Sequence, residues 1–388
     1  MKKYGALLIV LVVIAATLGT HYIQLASASS KNAVTFETLS GDERYINELI
    51  IEGSVDSEAY YSSVRIQNGE TKHLKSSIFD RRLNLTNERL IDAHKGFIRG
   101  KLLDASHYYE DEERLIYVKE PDDIWQLAPG DDLPYAIEIL NKSDNSVTAF
   151  TVNNKLIQPV KWITLEHVQL VGNELKLVSN YVKAIGNEEA HLLIIDLKSK
   201  QLKNDIVIET IQSNDKINKY LGFYFEYYHL GPEKYFVYHV SEYEARSEQV
   251  TPLSQQFKAL DIATNEVTEI EIPEQIFGDE YRIVVLGHQL IAATIIDGEV
   301  VVNRYNIGQQ QWLAPITLES PSKVLERATF KLQTLNDKLY VLAQLAQGQL
   351  LTIVDAESGE SLYTGLIKPT TDQPDFTLSV SRFYENEE

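Results

Sequence analysis

The 388-residue chain contains no cysteine and a single methionine. The absence of cysteine excludes disulfide bonds, zinc sites of the CxxC type, thiol redox chemistry, a cysteine nucleophile and a lipid-modified cysteine at the N-terminus. Positive charge is also scarce, because 36 Lys and Arg stand against 56 Asp and Glu. Since binding to a phosphate backbone needs clustered positive charge, we expect no nucleic-acid partner.

Only one long apolar run exists, and it lies at the N-terminus. Two lysines precede the run 5–18, and a small-residue site at Ala26 and Ala28 follows it. This order is typical of an export signal. Two outcomes stay open: cleavage after Ala28, which gives a secreted protein, or retention of residues 5–24 as a membrane anchor. Either outcome predicts that the rest of the chain is extracytoplasmic.

The remainder has the pattern of β-strands. Apolar residues recur with period two in short runs rich in β-branched and aromatic residues, and Asn, Gly and Asp break these runs. Clear examples are the runs 135–140, 192–195, 300–302 and 350–354. Only short helices are expected, at 87–93 and 320–327, because neither segment sustains a period of 3.6 residues.

Two kinds of hairpin turn repeat along the chain. One starts with an Asp or Asn that can bind the backbone two residues later, and a later Gly or Asn can take a positive φ. Its copies begin at Asn141, Asp196, Asp261, Asn306 and Asp355, with a weaker sixth copy around Asn68. The other is a tight turn within 171–175, 286–290, 335–339 and, with one extra residue, 230–235.

Two hairpins per period make four strands per unit, repeated about every 45 to 65 residues. The sequence therefore predicts an all-β fold, a β-propeller of about six four-stranded antiparallel blades after one N-terminal hydrophobic helix. A C-terminal strand at 376–383 would complete the first blade, which holds strands near 46–53, 59–67 and 71–76. A pair of β-sandwich domains is the alternative.

The predicted organisation has four parts. Residues 1–28 form the signal or anchor, 29–43 a tether and lead-in, 44–383 the propeller, and 384–388 an acidic tail.

The turns of form apolar-x-Asp-x-x-[Ser/Thr/Gly]-x resemble those of bacterial extracytoplasmic propellers of the quinoprotein-like and WD-like kinds, over roughly residues 40–383. The scarcity of Cys and Met resembles a membrane-anchored cell-envelope protein of a Gram-positive bacterium. The series of Trp-Asp and Gly-His pairs of WD repeats is missing, with Gly287-His288 a single instance. The tryptophan docking motif of true quinoproteins is missing too, so the resemblance implies no quinone, and no cofactor is expected.

The loop 120–134 is the first candidate site, because it is long, acidic and stiffened by three prolines. Its oxygen-bearing side chains could bind Ca²⁺, although their spacing fits no EF-hand. The alternative is a solvated connection whose tryptophan packs on the blade below. The candidate residues are Asp122, Asp123, Asp131, Asp132 and Trp125.

An aromatic hairpin between residues 220 and 243 is the second candidate. Tyr224, Tyr227 and Tyr228 could stack on a sugar or a peptide, since tyrosine is common at recognition surfaces. The alternative is that these aromatics fill the space between neighbouring blades.

The nine histidines form no HxH, HxxxH or HExxH motif, so no metal site is expected, although His229 and His239 flank one hairpin. No GxSxG, SxxK or Walker motif occurs, and no catalytic residue is assigned. We therefore expect a non-enzymatic binding, sensor or scaffold module with a protein, peptide or envelope-polymer ligand. The alternative is an extracytoplasmic hydrolase or lyase acting on carbohydrate or lactone-like substrates at the propeller axis.

Overall fold

The structure is a computed structural model, and it describes residues 34–57, 60–74, 85–122, 124, 127–184, 187–224, 230–245, 252–273, 276, 281–324, 330–370 and 377–386. The predicted signal or anchor, with Ala26 and Ala28, lies outside the described residues. Within the described ranges, no helix is both long enough and apolar enough to cross a bilayer.

Strands make up most of the described chain, as the period-two pattern predicts. In chain order they are β1 (Val34–Gly41), β2 (Leu49–Ser57), β3 (Tyr60–Gln67), β4 (Glu70–Leu74), β5 (Tyr108–Glu110), β6 (Arg114–Lys119), β7 (Asp132–Asn141), β8 (Val147–Lys155), β9 (Trp162–Val171), β10 (Glu174–Ala184), β11 (Asn187–Asp196), β12 (Gln201–Gln212), β13 (Ile217–Tyr224), β14 (Tyr235–Glu244), β15 (Ser254–Asp261), β16 (Val267–Ile270), β17 (Tyr281–Leu286), β18 (Gln289–Ile296), β19 (Glu299–Asn306), β20 (Gln311–Trp312), β21 (Ile316–Thr317), β22 (Phe330–Leu335), β23 (Lys338–Leu345), β24 (Gly348–Asp355), β25 (Ser361–Pro369) and β26 (Thr377–Glu385).

The described residues include the helices α1 (Arg44–Asn47) and α2 (Leu85–Ile98), a 3₁₀ turn at Ala105–His107, and 3₁₀-helical backbone at Ile124 and Ile276. The helix expected at 87–93 is confirmed, but it extends over 14 residues, with a non-helical backbone at His94. Leu90 and Phe97 anchor α2 on the apolar side chains of Tyr108 and Leu115. The helix expected at 320–327 is wrong for its described part, because residues 320–324 are not helical.

The described strands form six antiparallel sheets, numbered here in chain order. Sheet 1 has the order β26-β2-β3-β4, sheet 2 β5-β6-β7-β8, sheet 3 β12-β11-β10-β9, sheet 4 β13-β14-β15-β16, sheet 5 β17-β18-β19-β20 with β21 beside β19, and sheet 6 β1-β25-β24-β23-β22. The expectation of repeated four-stranded antiparallel units is therefore confirmed, with a fifth strand in sheets 5 and 6.

The chain divides into two compact units. The first holds residues up to 82, 295–300 and 317 onward, and it contains sheets 1 and 6. Its core packs Ile51, Val64 and Phe383 of sheet 1 against Tyr340 and Ile353 of sheet 6.

Sheet 1 pairs the last strand of the chain, β26, with the second strand, β2. Strand β26 pairs with β2, with Phe383 opposite Ile51, as the sequence predicts for the C-terminal strand. The amide of Gln333 clamps Phe383, accepting from its N–H at 2.9 Å and donating to its carbonyl oxygen at 2.6 Å. Within the predicted lead-in, Val34–Gly41 forms strand β1 on the edge of sheet 6. Within the predicted tail, Glu385 belongs to β26 and accepts from Tyr340 at 2.8 Å.

The second unit holds residues 83–294 and 301–316. Successive sheets within it pack face to face through three apolar clusters: Leu133, Ile137 and Leu193 between sheets 2 and 3, Val178, Leu192 and Phe236 between sheets 3 and 4, and Val237, Phe257 and Leu290 between sheets 4 and 5.

The repeated hairpin turns form as predicted. In the five clear copies the leading Asp or Asn side chain accepts a hydrogen bond from a backbone N–H two or three residues later, at 2.6–2.9 Å. The residue four positions after it takes a positive φ. This residue is Asn or Gly, as expected, at Asn145, Asn265 and Gly359, but it is Lys200 or Gln310 in the other two copies. The tight hairpin expected at 230–235 is different, because β13 ends at Tyr224 and the next strand begins at Tyr235.

Candidate functional site

The acidic loop after β6 does not bring its described carboxylates together. Asp122 is exposed and pairs with Lys119, while Asp132 pairs with Lys155. Asp131 accepts from the backbone N–H of Ala128 at 2.8 Å and so closes a local turn. Asp123 and Trp125 lie outside the described residues. Among the described residues, no group of His, Cys, Asp or Glu side chains could hold a metal ion.

The aromatic hairpin places Tyr224 inside the packing between sheets 4 and 5. Its ring lies 4.9 Å from the ring of His239 and 5.8 Å from that of Phe257. Burial lowers the pKa of His239 to about 4, so this histidine is neutral at ordinary pH. Tyr227, Tyr228 and His229 lie outside the described residues.

Gly222 makes the position of His239 possible. A β-carbon at residue 222 would lie 2.0 Å from Cε1 of the His239 ring, far inside van der Waals contact. Sheet 4 is therefore tightly packed on its face toward sheet 5.

Sheet 3 offers a different arrangement on its face toward sheet 4. Side chains of a strand alternate between faces, so cross-strand neighbours define rows on one face. The first row, with Val178 and Leu192, belongs to the apolar core. The next row contains Thr164, Asn180, Ala190 and Glu209.

One more row completes this face, which contains Trp162, Val182, Glu188 and Ile211. Each outer row combines buried apolar residues, namely Ala190, Val182 and Ile211, with polar or exposed ones, whereas Val178 and Leu192 of the first row are both apolar. We call these two outer rows, together with Glu166, the polar face of sheet 3.

A β-bulge adds Glu166 to this face. Val178 pairs with His167 and Ser179 pairs with Leu165, so Glu166 has no partner in the ladder. Bulges redirect side chains and occur next to functional sites more often than elsewhere. The Glu166 carboxylate accepts from the hydroxyl of Thr164 at 2.6 Å, which fixes it on the same face.

The carboxyl groups of this face are difficult to ionise. Burial raises the pKa of Glu166, and the negative charges of Asp104, Glu120 and Glu188 raise it further. Burial also raises the pKa of Glu188. Near Glu120, the Nδ1 atom of His107 lies 2.8 Å from the Val118 carbonyl oxygen and 3.1 Å from the Glu120 carboxylate.

Asn180 lies between these acids and is only half satisfied. Its side-chain Nδ2 donates to Glu188 at 2.9 Å. Its Oδ1 is buried and has no hydrogen-bond partner among the described residues, although the residue is only 7% exposed. A buried acceptor without a donor is unfavourable, so this oxygen is suited to accept from a ligand.

A cleft of about 360 Å³ opens beside the polar face, where sheets 3 and 4 stop making apolar contact. Two ion pairs border it, Lys258 with Glu209 at 2.5 Å and Lys219 with Glu242 at 2.7 Å. Most of its lining can form hydrogen bonds. The lining residues are Glu209, Thr210, Ile211, Lys219, Val240, Glu242, Ser254, Gln255 and Gln256.

Sequence reasoning did not find this group of residues. The polar face and the cleft draw on seven strands, β9 to β15, and their residues are separated by up to 94 positions, so no local motif unites them. In β9, Thr164 and Glu166 alternate with the buried Ile163 and Leu165, which is the ordinary pattern of a strand and therefore marks no site.

No protein-family model matches the chain, and no curated relative matches it. Among solved structures, TolB from Acinetobacter baumannii is similar, with 13% identity, 85% of this chain and 65% of that chain covered, and a TM-score of 0.31. A puromycin-hydrolysing peptidase from Mycobacterium tuberculosis is 10% identical to this chain. The match covers 89% of this chain and 55% of the peptidase, with a TM-score of 0.36. The β-propeller domain of the trilobed protease from Pyrococcus furiosus is 9% identical to this chain. The match covers 92% of this chain and 97% of that domain, with a TM-score of 0.35.

The chain thus spans less than two thirds of the length of the first two structures. At these TM-scores and identities the similarity is remote, and the function has to be argued from the residues of this chain.

Proposed function

We propose that the protein is a non-enzymatic binding, sensor or scaffold module of the cell envelope, and that its ligand binds in the cleft between sheets 3 and 4. The observation that carries this proposal is the change in the contact between these sheets from apolar to polar. Leu192 and Phe236 pack together in the apolar part. Beyond them, the cleft is lined by carboxylate, hydroxyl and amide groups that can pair with a ligand.

The remaining parts of the proposal rest on the sequence and the strand pairing. The apolar N-terminal segment, residues 5–24, supports export and attachment to a membrane. The scarcity of Cys and Met supports a Gram-positive cell envelope. Six antiparallel sheets in chain order, with β26 completing sheet 1, support a propeller of six blades. Such a scaffold would present the cleft to a protein, peptide or envelope-polymer ligand outside the cytoplasm.

A photo-crosslinking experiment tests the proposed ligand site. The full-length protein with Gln256→p-benzoylphenylalanine carries the crosslinker in the cleft, and Gln309→p-benzoylphenylalanine carries it on an exposed turn of sheet 5. After irradiation in intact cells, we expect an adduct with one defined envelope molecule at position 256 and not at 309. The absence of an adduct at 256, or the same adducts at both positions, would contradict the proposal.

One observation favours a second candidate, an extracytoplasmic hydrolase or lyase. Carboxyl groups with raised pKa values, such as those of Glu166 and Glu188, can serve as general acids. Incubation of the purified protein with envelope polysaccharides should then release reducing ends or unsaturated products, and Glu166→Gln should abolish their release. If no substrate is cleaved, this second candidate is excluded for those substrates and binding remains.

A further inference from the structure

Among the described residues, Glu166 and Glu188 on the polar face of sheet 3 form no ion pair, whereas Glu209 on the same face pairs with Lys258. Glu166 lies close enough to Asp104, Glu120 and Glu188 for their negative charges to act on its carboxyl group. Asp104 is engaged locally, because it accepts from the N–H of Ser106 at 3.1 Å. In the part of the chain that the structure describes, Glu166 and Glu188 accept hydrogen bonds from neutral groups, the Thr164 hydroxyl and the Asn180 amide. Such a set of acceptors is completed by a cationic donor.

The unpartnered oxygen of Asn180 is the second, independent sign of a missing donor. It is buried more than nine-tenths, and the same side chain contacts Glu188. A ligand N–H placed there could bond to the amide oxygen of Asn180 and to a carboxylate together. An ammonium group has three such hydrogens, which matches two carboxylates and one amide oxygen.

Trp162 supplies an aromatic surface on the same face. It shares a row with Val182 and Glu188, and it is 43% exposed. An exposed tryptophan attracts cations through its ring face. The neighbouring cleft adds hydroxyl and amide groups, including Ser254 and Gln256, which suit the N–H and C=O groups of a peptide.

We propose that Glu166, Glu188, Asn180 and Trp162 form a binding site for a primary ammonium group carried by a peptide ligand, either a lysine side chain or an amino terminus. The ammonium group donates to the two carboxylates and to Asn180 Oδ1, with Trp162 beside it. The peptide body extends along the cleft. This inference rests on the proposed binding function and names the ligand chemistry of the same face.

The test uses the purified full-length chain and two matched probes, Nα-acetyl-lysinamide and Nα,Nε-diacetyl-lysinamide. They differ only in the ε-ammonium group. We expect the first to bind saturably, by ligand-observed NMR, and the second to bind at least about tenfold more weakly, because it loses charge-assisted hydrogen bonds. Glu166→Gln and Glu188→Gln should each lower the affinity for the first probe by about tenfold. Trp162→Ala should lower the affinity for the same probe by about threefold.

Glu113→Gln is the matched control, because it removes one negative charge from an exposed carboxylate outside the polar face. It should leave the affinity unchanged within about twofold. All variants should retain the thermal unfolding midpoint of the parent within a few degrees, which shows that they fold. Equal binding of both probes, or no loss in either glutamate variant, overturns the ammonium site.

The two proposals fail in distinguishable ways. If the probes bind equally while the crosslink at position 256 persists, the cleft is a ligand site but the ammonium claim is wrong. If the ammonium probe does not bind the parent protein and no crosslink forms, both proposals are wrong.

Discussion

The two faces of sheet 3 bury polar groups in opposite ways. On the face toward sheet 2, Asp205 accepts from His191 Nδ1 and from Asn154 Nδ2, both at 2.7 Å. Asn154 Nδ2 also donates to the Tyr181 hydroxyl, at 3.2 Å. The Tyr181 hydroxyl in turn lies 3.0 Å from the hydroxyl of Tyr135. On the face toward sheet 4, Asn180 Oδ1 has no described partner, and two carboxyls have raised pKa values.

This difference separates a structural network from a candidate site. A fully satisfied buried network recovers the cost of desolvating its polar groups and specifies how the sheets pack. A half-satisfied one destabilises the fold unless a ligand completes it. Burial therefore does not by itself identify a site, and the number of unmet hydrogen bonds is the more informative quantity.

The largest expected effect comes from breaking the closed network. Asp205→Ala removes the acceptor shared by His191 and Asn154, and leaves two buried donors unpaired. We expect the free energy of unfolding to fall by about 3 kcal/mol, measured by urea denaturation. Asn180→Leu on the opposite face should change it by about 1 kcal/mol or less, because half of that amide is already unsatisfied. Equal losses in both variants would remove the distinction between the faces.

A second prediction concerns sheet 4, whose face toward sheet 5 is tightly packed. Gly222→Ala should destabilise the protein by about 2 kcal/mol, because the new methyl group overlaps the His239 ring. In the His239→Ala background the same change should cost little, which gives a coupling energy in a double-mutant cycle. The cycle is measured by thermal or chemical unfolding of all four variants. Additive effects would show that the ring does not occupy that position.

The third prediction concerns pH. Burial raises the pKa of Glu233 to about 7, and its carboxylate lies 3.4 Å from His167 on the face of sheet 3 toward sheet 4. Between pH 4.5 and about 7 the folded chain keeps this proton while the unfolded chain releases it, so stability falls as the pH rises. The free energy of unfolding of Glu233→Gln, relative to that of the parent, should therefore rise by about 3 kcal/mol across this interval.

His239 should have the opposite slope. Its pKa is lowered to about 4, so the unfolded chain binds a proton between pH 4 and 6.5 that the folded chain does not, and stability rises with pH there. Unfolding curves at several pH values separate the two residues, because only Glu233→Gln alters the fall near pH 7. A parallel pH profile in parent and variant would show that Glu233 is ionised in the folded protein.

The smallest effects are expected in the repeated turns. Asp196→Ala in the second unit and Asp355→Ala in the first each remove the hydrogen bonds that their carboxylates accept from a serine. Each should cost about 1 kcal/mol, measured as a shift of the urea midpoint. A large loss in one variant and none in the other would show that the repeated turns are not equivalent.

The repeated turns also show how much of the fold could be predicted from sequence. An Asp or Asn, followed four positions later by a residue with a positive φ, is a local pattern, so it marks hairpins without knowledge of the fold. The pairing of β26 with β2 was also predicted, because a strand without a hairpin partner needs a neighbour.

Other features depend on long-range packing and escaped prediction. Strand β1 pairs with β25, more than 300 residues away in sequence, and its own pattern shows no such partner. The length of α2 is set by its contacts with Tyr108 and Leu115. The polar face of sheet 3 depends on strand register and on the bulge at Glu166, which period-two alternation cannot locate. The candidate residues of the loop and hairpin were chosen by composition, which carries no information on whether side chains converge.

The most direct test compares the side-chain amides of Asn180 and Asn154, which lie on the two faces of sheet 3. Their NH₂ signals in the ¹⁵N-labelled protein are assigned from the spectra of Asn180→Leu and Asn154→Leu. On titration with Nα-acetyl-lysinamide we predict that the Asn180 signal moves saturably while the Asn154 signal stays in place. An unmoved Asn180 signal, or an equal movement in the protein carrying both Glu166→Gln and Glu188→Gln, would contradict a ligand site on this face.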